Sequence, residues 1–337
     1  MRRVKLGLIG AGLIMNNAHA PALEALRDRF EIAAICSRTE KSARALAERF
    51  GRPPIYTDYR RLLEQPDVEA VDVAVPIALN YEICKAAAQA GKHIICEKPP
   101  AANLADAAAA ARLPAEYGIV FLVAEQFRYL ADMRKARHWV AAGAIGKPIL
   151  ARWTIVQTYD PANPYAQTAW RQQPAHIGGI LSDAGVHYMD ALRSIVGEVE
   201  SVQAFVAGHG LLWGPHDTAV INLRLAGDVL ANMSMTWSAA DRVNMLEIFG
   251  AAGTVRVAGG EATLLRPDRA PEKFKAVDSQ GFREEFEDFY AAIVRGKALD
   301  MTPREAYLDF AVFVAAIHSA ETGQVIEMQR YLQGAGL

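Results

Sequence analysis

Cysteine is scarce in this sequence. Cys36, Cys84 and Cys96 are the only three among 337 residues, and no two of them stand at C-x-x-C spacing. That count excludes a disulfide scaffold and a cysteine-built zinc site, and it fits a reducing, cytoplasmic compartment. Charge of one sign is equally lacking: 36 Lys and Arg stand against 38 Asp and Glu, a formal net charge of −2. Nothing therefore draws the chain as a whole toward nucleic acid or an anionic membrane. No uninterrupted apolar run reaches the length of a bilayer span. Met1-Arg2-Arg3, a mostly apolar stretch to Met15 and Ala18-His19-Ala20 together imitate a short signal peptide with its cleavage site. Lys5 inside the stretch, two glycines at a fixed spacing and Pro21 after the supposed cut argue against that reading. What the chain has in quantity is apolar mass, 52% of residues against 22% charged, which excludes intrinsic disorder. Its length suits about two domains with real cores.

The first part alternates strands and helices. Residues 4–9 read as a buried strand followed by a glycine turn and an apolar helix. Residues 31–36, 71–75, 93–96 and 119–124 repeat the pattern, with Ala-rich helical segments near 80–90 and 103–115 between them. Continuously apolar strands at this spacing imply βαβ units, a parallel sheet and helices on both faces. After about residue 125 the pattern changes. A helix is expected near 130–143, followed by longer strands of period two. Ala219, Ile221, Leu223 and Leu225 point one way and Thr218, Asn222 and Arg224 the other. Val229, Ala231, Met233, Met235 and Trp237 alternate likewise with Leu230, Asn232, Ser234 and Thr236. That is the pattern of an antiparallel sheet. Two amphipathic helices, near 283–295 and 303–321, close the chain, the second opened by Thr302-Pro303 in cap and first-turn positions. The fold class expected is α/β: a doubly wound parallel-sheet domain over 1–125, then an α/β domain over 126–337 with a large open, mostly antiparallel sheet.

The chemistry-bearing motifs fall at defined places on this frame. Gly10-Ala11-Gly12-Leu13-Ile14-Met15 follows the first strand directly and opens the first helix. The first glycine permits the tight turn, and the second lets backbone N–H groups approach a pyrophosphate at a helix N-terminus. Gly10, Gly12, Leu13 and Ile14 are candidate dinucleotide contacts; the plainer alternative is an ordinary strand–helix turn. Met15 stands where a third glycine commonly serves packing. The second strand ends in Cys36-Ser37-Arg38-Thr39, without the acidic residue that holds an adenine ribose. Ser37 and Arg38 suit a 2′-phosphate instead, which favours NADP(H) while leaving NAD(H) possible; a solvated loop arginine is the alternative.

Glu97-Lys98-Pro99-Pro100 follows the strand at 93–96, beyond the carboxyl end where doubly wound sheets bind ligands. Pro99 restricts Lys98 to extended backbone. Further on, Gly178-Gly179 leads to Ser182, a candidate N-cap, with Asp183 in the first turn, His187 four residues later and Asp190 one turn beyond. A carboxylate beside an imidazole sets up a proton acceptor near neutral pH. No third His, Cys or carboxylate stands at ligand spacing, so no metal is expected.

Taken in order, the Gly10–Met15 turn, Ala90-Gly91-Lys92-His93 leading to Glu97-Lys98-Pro99, and Gly178-Gly179…Asp183…His187…Asp190 resemble the glucose–fructose oxidoreductase / inositol dehydrogenase / rhizopine catabolism protein MocA family of NAD(P)-dependent oxidoreductases. Phe127-Arg128-Tyr129, Gly143-Ala144-Ile145-Gly146 and Trp170-Arg171 extend the resemblance over nearly the whole chain. It implies a Rossmann domain followed by an α/β domain with a large open sheet. It also implies catalytic positions at Lys98, Asp183 and His187, and cofactor contacts at Pro76, Asn80, Glu97 and Lys98. A histidine commonly stands in the family where this chain has Asn80. Arg128, Tyr129, Trp170 and Arg171 are candidate substrate contacts. The reaction implied is hydride transfer between nicotinamide and a secondary hydroxyl of a sugar, sugar derivative or cyclitol. In it His187 accepts the hydroxyl proton, Lys98 stabilises the oxygen and Asp183 orients the substrate, the three acting as one unit. Two rivals are an NAD-dependent glycosidase of the same superfamily and a nucleotide-sensing regulator; a sensor has no need of a proton relay. A homodimer or homotetramer is expected through the second domain's sheet, because rows of Met, Leu and Val on two faces exceed what one helix layer can cover.

Overall fold

The computed structural model describes residues 2–210, 213–277 and 280–334. It divides into two compact units, Met1–Gln126 with Phe282–Tyr307 and Phe127–Gly281 with Leu308–Leu337.

The first unit is built on a six-stranded sheet: β1 (Val4–Ile9), β2 (Phe30–Cys36), β3 (Ile55–Tyr56), β4 (Ala70–Val73), β5 (His93–Glu97) and β6 (Phe121–Ala124), in the order β3-β2-β1-β4-β5-β6. Every pairing in it is parallel. The strand order reverses between β1 and β4, so the loops after these two strands flank the switch point where such sheets bind ligands. Burial explains the composition: all four residues of β4 and of β6 are buried, as in a sheet covered on both faces. Helices Ile77–Gln89 and Leu104–Tyr117 lie where the Ala-rich segments are expected. The short β3 carries too few residues to show a period.

The C-terminal boundary differs from the expectation that everything after residue 125 joins the second domain. Helix Phe282–Arg295 packs in the first unit, where Phe286, Phe289 and Tyr290 are buried. Phe30 meets Phe286 at 5.9 Å and Tyr290 at 5.7 Å between ring centroids. Amphipathic spacing shows that a helix has a core-facing side, not which core it faces. Thr302 caps the next helix, Pro303–Thr322, its hydroxyl oxygen accepting the Glu305 N–H at 3.3 Å.

The second unit holds a nine-stranded sheet. Its strands are β7 (Pro148–Thr158), β8 (Val199–Ala207), β9 (Thr218–Leu225), β10 (Val229–Thr236), β11 (Ser238–Gly250), β12 (Gly253–Ala258), β13 (Glu261–Leu265), β14 (Glu272–Lys275) and β15 (Ile326–Glu327). They run in the order β14-β13-β12-β11-β7-β10-β9-β8-β15. All pairings are antiparallel except β10 with β7. The period-two rows are as read: Ala219, Ile221, Leu223, Leu225, Val229, Ala231, Met233 and Met235 are all buried. Helices Ala131–Ala141 and Gly185–Val196 pack in this unit, with Tyr188 edge-on to the buried Trp153 of β7 at 5.2 Å. The two faces are not equally apolar, however. The Met- and Leu-rich rows are the covered ones, and the opposite rows are mostly polar, interrupted by exposed Leu150, Phe205, Val220 and Leu230. Among the described residues no helix is long and apolar enough to cross a membrane.

Candidate active site

In the first unit, the turn after β1 is shaped by its glycines. Gly10 has φ +109°, and a Cβ there would lie 2.1 Å from the Ala74 carbonyl oxygen at the end of β4, so only glycine passes. Gly12 is open: nothing lies within 4 Å of where its Cβ would be, which leaves backbone accessible on that side. The Asn16 amide fastens the turn by donating to the Ala11 and Gly12 carbonyls at 3.0 and 2.8 Å. Leu13 and Ile14 begin the helix, and Met15, in the third-glycine position, is fully buried in the core. The helix then widens into a single π-turn over Met15–His19, closed by the Ala20 N–H on the Met15 carbonyl. At the end of β2, Ser37 is half-buried and Arg38 exposed.

Lys98 follows β5 and is half-buried, with a cis peptide to Pro99. Its backbone is held from two sides. The Lys98 N–H donates to Glu97 Oε2 at 3.2 Å, and Asn80 Nδ2 donates to the Glu97 and Pro99 carbonyls at 3.0 and 2.8 Å. Pro76 opens the helix that carries Asn80. Asn80 is fully buried, and its amide nitrogen shapes the lysine loop.

In the second unit, Asp183 ends helix Ile180–Asp183 and His187 lies in helix Gly185–Val196, the break falling at Ala184. Ser182 does not cap: Gly179 occupies that place, and the Ser182 hydroxyl turns back to the Ile177 and Gly179 carbonyls. Gly185 is required because a Cβ there would meet the Phe313 ring at 2.5 Å. Asp183 is buried, and Oδ2 accepts from Arg171 Nε at 2.7 Å. That guanidinium lies over Trp170 at 4.0 Å and near Tyr165 and Trp213 at 5.2 and 5.8 Å. Cation–π attraction thus fixes the arginine that holds the carboxylate. The His187 ring stacks on Phe127, centroids 4.9 Å apart and planes 20° apart. Arg128 and Tyr129, the other two candidate substrate contacts, also lie in this unit. Arg128 is 6% exposed and donates to the fully buried Asp190, while Tyr129 is 1% exposed under the Arg134 guanidinium. Asp190 is the ion-pair partner of Arg128.

Comparison with known proteins places this geometry. Residues 4–125 match the model described as "Oxidoreductase family, NAD-binding Rossmann fold", and residues 133–256 match the GFO/IDH/MocA C-terminal domain. The chain is 30% identical to a myo-inositol 2-dehydrogenase of Thermotoga maritima over 75% of this chain and 74% of that one. The chain belongs to the GFO/IDH/MocA family. A crystal structure of a Thermotoga maritima oxidoreductase superposes with a TM-score of 0.92 at 32% identity, covering 98% of this chain and all of that one. A levoglucosan dehydrogenase solved with NADH and levoglucosan has a TM-score of 0.87 at 26% identity, over 97% and 99% of the two chains. This GFO/IDH/MocA protein is a dehydrogenase or reductase of CH–OH groups. The residues fit a dinucleotide: Gly10 is crowded against β4 and Gly12 left open, at the switch point of the sheet.

The nucleotide domain also buries a cluster of ionisable side chains. His19, Asp72 and Glu285 are fully buried, and Glu97 and Glu125 nearly so. His19 Nδ1 lies 3.0 and 2.9 Å from the two Asp72 oxygens, and Nε2 lies 3.0 Å from Glu97 Oε1. Burial works against charge on the ring, but Asp72 and Glu97 outweigh it and hold the imidazolium well above the ordinary histidine range. Two signals in the sequence point here: one aspartate inside the apolar run Val71–Val75, and a glutamate beside Phe286 on the apolar side of a helix.

Glu285 supplies a testable consequence. Both carboxyl oxygens are buried without a hydrogen-bond partner among the described residues, and burial first, then the nearby Glu97, Asp72 and Glu125, pushes its carboxyl well above 4.5 despite the pull of His19. Between the ordinary value and the raised one, the folded chain keeps a proton that the unfolded chain has lost. Stability therefore falls as pH rises across that window, by about 1.4 kcal/mol per pH unit for one such proton. Glu285→Gln is expected to be more stable than the parent at pH 7–8 and to lose the difference toward pH 4. Denaturant unfolding across pH checks this, and parallel curves for the two proteins would contradict it.

Proposed function

We propose that this GFO/IDH/MocA protein transfers hydride reversibly between a nicotinamide cofactor and a secondary hydroxyl of a sugar, sugar derivative or cyclitol. The observation that carries the reading is the Arg171–Asp183 pair set among Tyr165, Trp170 and Trp213. Aromatic faces beside a buried, oriented carboxylate suit a ligand that is ring-shaped and rich in hydroxyls. The names of its relatives, myo-inositol 2-dehydrogenase and levoglucosan dehydrogenase, support the same substrate class.

Each residue has a chemical role in this reading. The bound nicotinamide supplies the hydride acceptor. The glycine turn with Leu13 and Ile14 receives the pyrophosphate, and the segment from Pro76 to Asn80 and Glu97 shapes the loop that presents Lys98. His187 takes the hydroxyl proton onto its imidazole, while the Lys98 ammonium stabilises negative charge developing on that oxygen, where a preorganised cation counts most. Asp183 accepts hydrogen bonds from substrate hydroxyls, with Arg171 and Trp170 holding it in place. Turnover of a sugar and polyol panel with NAD and NADP, followed at the nicotinamide absorbance, tests the reading. No reduction with any member overturns it, and sugar release without net reduction would assign the glycosidase chemistry instead.

Cofactor choice follows from β2. Ser37 and Arg38 stand where an acid would select NAD(H), and the exposed guanidinium is suited to a 2′-phosphate. Arg38→Ala is expected to cost about 1.5–3 kcal/mol of NADP affinity and to leave NAD almost unchanged. Equal losses in fluorescence titrations of the two reduced cofactors would show that Arg38 does not read the phosphate.

The outward face of the nine-stranded sheet supports self-association into a dimer or tetramer. Phe205, 70% exposed, pairs in register with Val220, and Leu230, 49% exposed, pairs with Leu150. Paired apolar side chains on a sheet face otherwise polar suit a second copy of the same face. Sedimentation at micromolar concentration should show an oligomer, and Phe205→Glu with Leu230→Glu should dissociate it. A monomer in the parent protein would overturn this.

A further inference from the structure

The buried cluster in the nucleotide domain has a geometry that packing alone does not require. Asp72 of β4 is in register with Ile95 of β5, so Glu97, two residues on, lies on the same face of the sheet and diagonally across from it. Two carboxylates on neighbouring strands repel unless a group between them donates in two opposite directions. An imidazolium does so, and His19 is placed to do it: one ring nitrogen faces Asp72 at 2.9 Å, the other faces Glu97 at 3.0 Å. The ring is held edge-on by Phe286 at 5.4 Å and flanked by Phe282 at 6.0 Å. Glu285 from helix Phe282–Arg295 and Glu125 after β6 add further carboxyl groups beside the cluster. A buried ionic cluster is weak evidence for stability, since apolar residues of the same volume serve as well, so its use is better sought in what it orients.

The two ends of the cluster touch the two functional loops. His19 is the last residue of the π-turn in the helix that follows the Gly10–Gly12 turn. Glu97 uses Oε1 toward His19 and Oε2 to accept the Lys98 N–H. We propose that His19 is a positioning residue, which acts through the Glu97 carboxylate to fix the backbone of Lys98 and ties it to the dinucleotide-binding turn. His19 lies within this one-turn π-widening, and such turns recur at functional sites. The proposal rests on the role given to Lys98 above.

Hydrogen exchange and a kinetic cycle test it together. Pro99 and Pro100 have no amide hydrogen, so a peptide over 97–101 carries, beyond its first residue, only the Lys98 and Ala101 N–H groups, and the Lys98 N–H is the one that Glu97 holds. In His19→Asn, that peptide should exchange at least about tenfold faster, while peptides from β1 and β4 keep the protection of the parent. Glu97→Ala should do the same, because it removes both carboxylate oxygens, the one toward His19 and the one that accepts the Lys98 N–H, and it stands in if His19→Asn fails to fold. Turnover should fall about tenfold or more in His19→Asn, with NAD(H) or NADP(H) affinity within a few-fold. The same substitution added to Lys98→Ala should cost nothing further. Unchanged exchange over 97–101, a loosening spread through the whole sheet, or additive losses in the cycle would each overturn the proposal. Exchange needs no turnover, so an inactive parent protein would count against the hydride-transfer reading while the positioning role is still decided.

Discussion

Replacing His187 by Ala is expected to lower turnover roughly 10²–10⁴-fold, the usual worth of a positioned general base, and to leave dinucleotide affinity nearly unchanged. The imidazole has the requirements for the task. It sits on a helix rather than a loop, beside Gly185, whose lack of a side chain lets Phe313 pack closely, and its plane is set by the Phe127 stack. Losing that stack removes about 0.5–1.5 kcal/mol of aromatic contact, small enough for the variant to fold. Oxidation should also weaken toward acidic pH in the parent protein, because a protonated imidazole cannot accept the hydroxyl proton. His187→Ala should flatten that acid limb as well as lower the plateau. Steady-state kinetics across pH with saturating cofactor check both, and near-native turnover with an unchanged profile would place the base elsewhere.

How much of this was legible in the sequence depends on how far each signal reaches along the chain. Local signals carried through. The β9 and β10 rows alternate with period two, and one face of them is buried as read. Thr302-Pro303 caps its helix, and the glycine turn lies where β1 ends. Signals that depend on distant partners did not. The ion pair of Arg128 is one such case, since its partner Asp190 stands 62 residues away. Ser182 has the right type for a cap, but Gly179, with φ +54°, starts the helix earlier. His19 was hidden most completely, since Ala18-His19-Ala20 imitates a cleavage site and its two partners come 53 and 78 residues later. Glu285 and its helix return to the first unit after a long excursion through the second, which no periodicity encodes.

Lys98→Ala is expected to reduce turnover at least as much as His187→Ala. A single preorganised charge or donor at the site of developing negative charge is worth about 10²–10³-fold or more in a water-poor site. The investment of structure in this loop argues for such a role: Glu97 holds the Lys98 N–H, and the buried Asn80 holds the carbonyls on either side of it. A surface lysine needs no such clamp. Lys98→Arg keeps the charge but moves it and spreads it over a planar fork, so it should recover only part of the loss. If Lys98 and His187 serve the same hydroxyl, the double variant should lose less than the product of the single losses, because residues acting as a unit are not additive. Two independent roles predict the full product. Measuring kcat for the parent, both single variants and the double variant, with dinucleotide binding as the control for folding, separates these outcomes; Lys98→Ala with near-native turnover would remove the lysine from the reaction altogether.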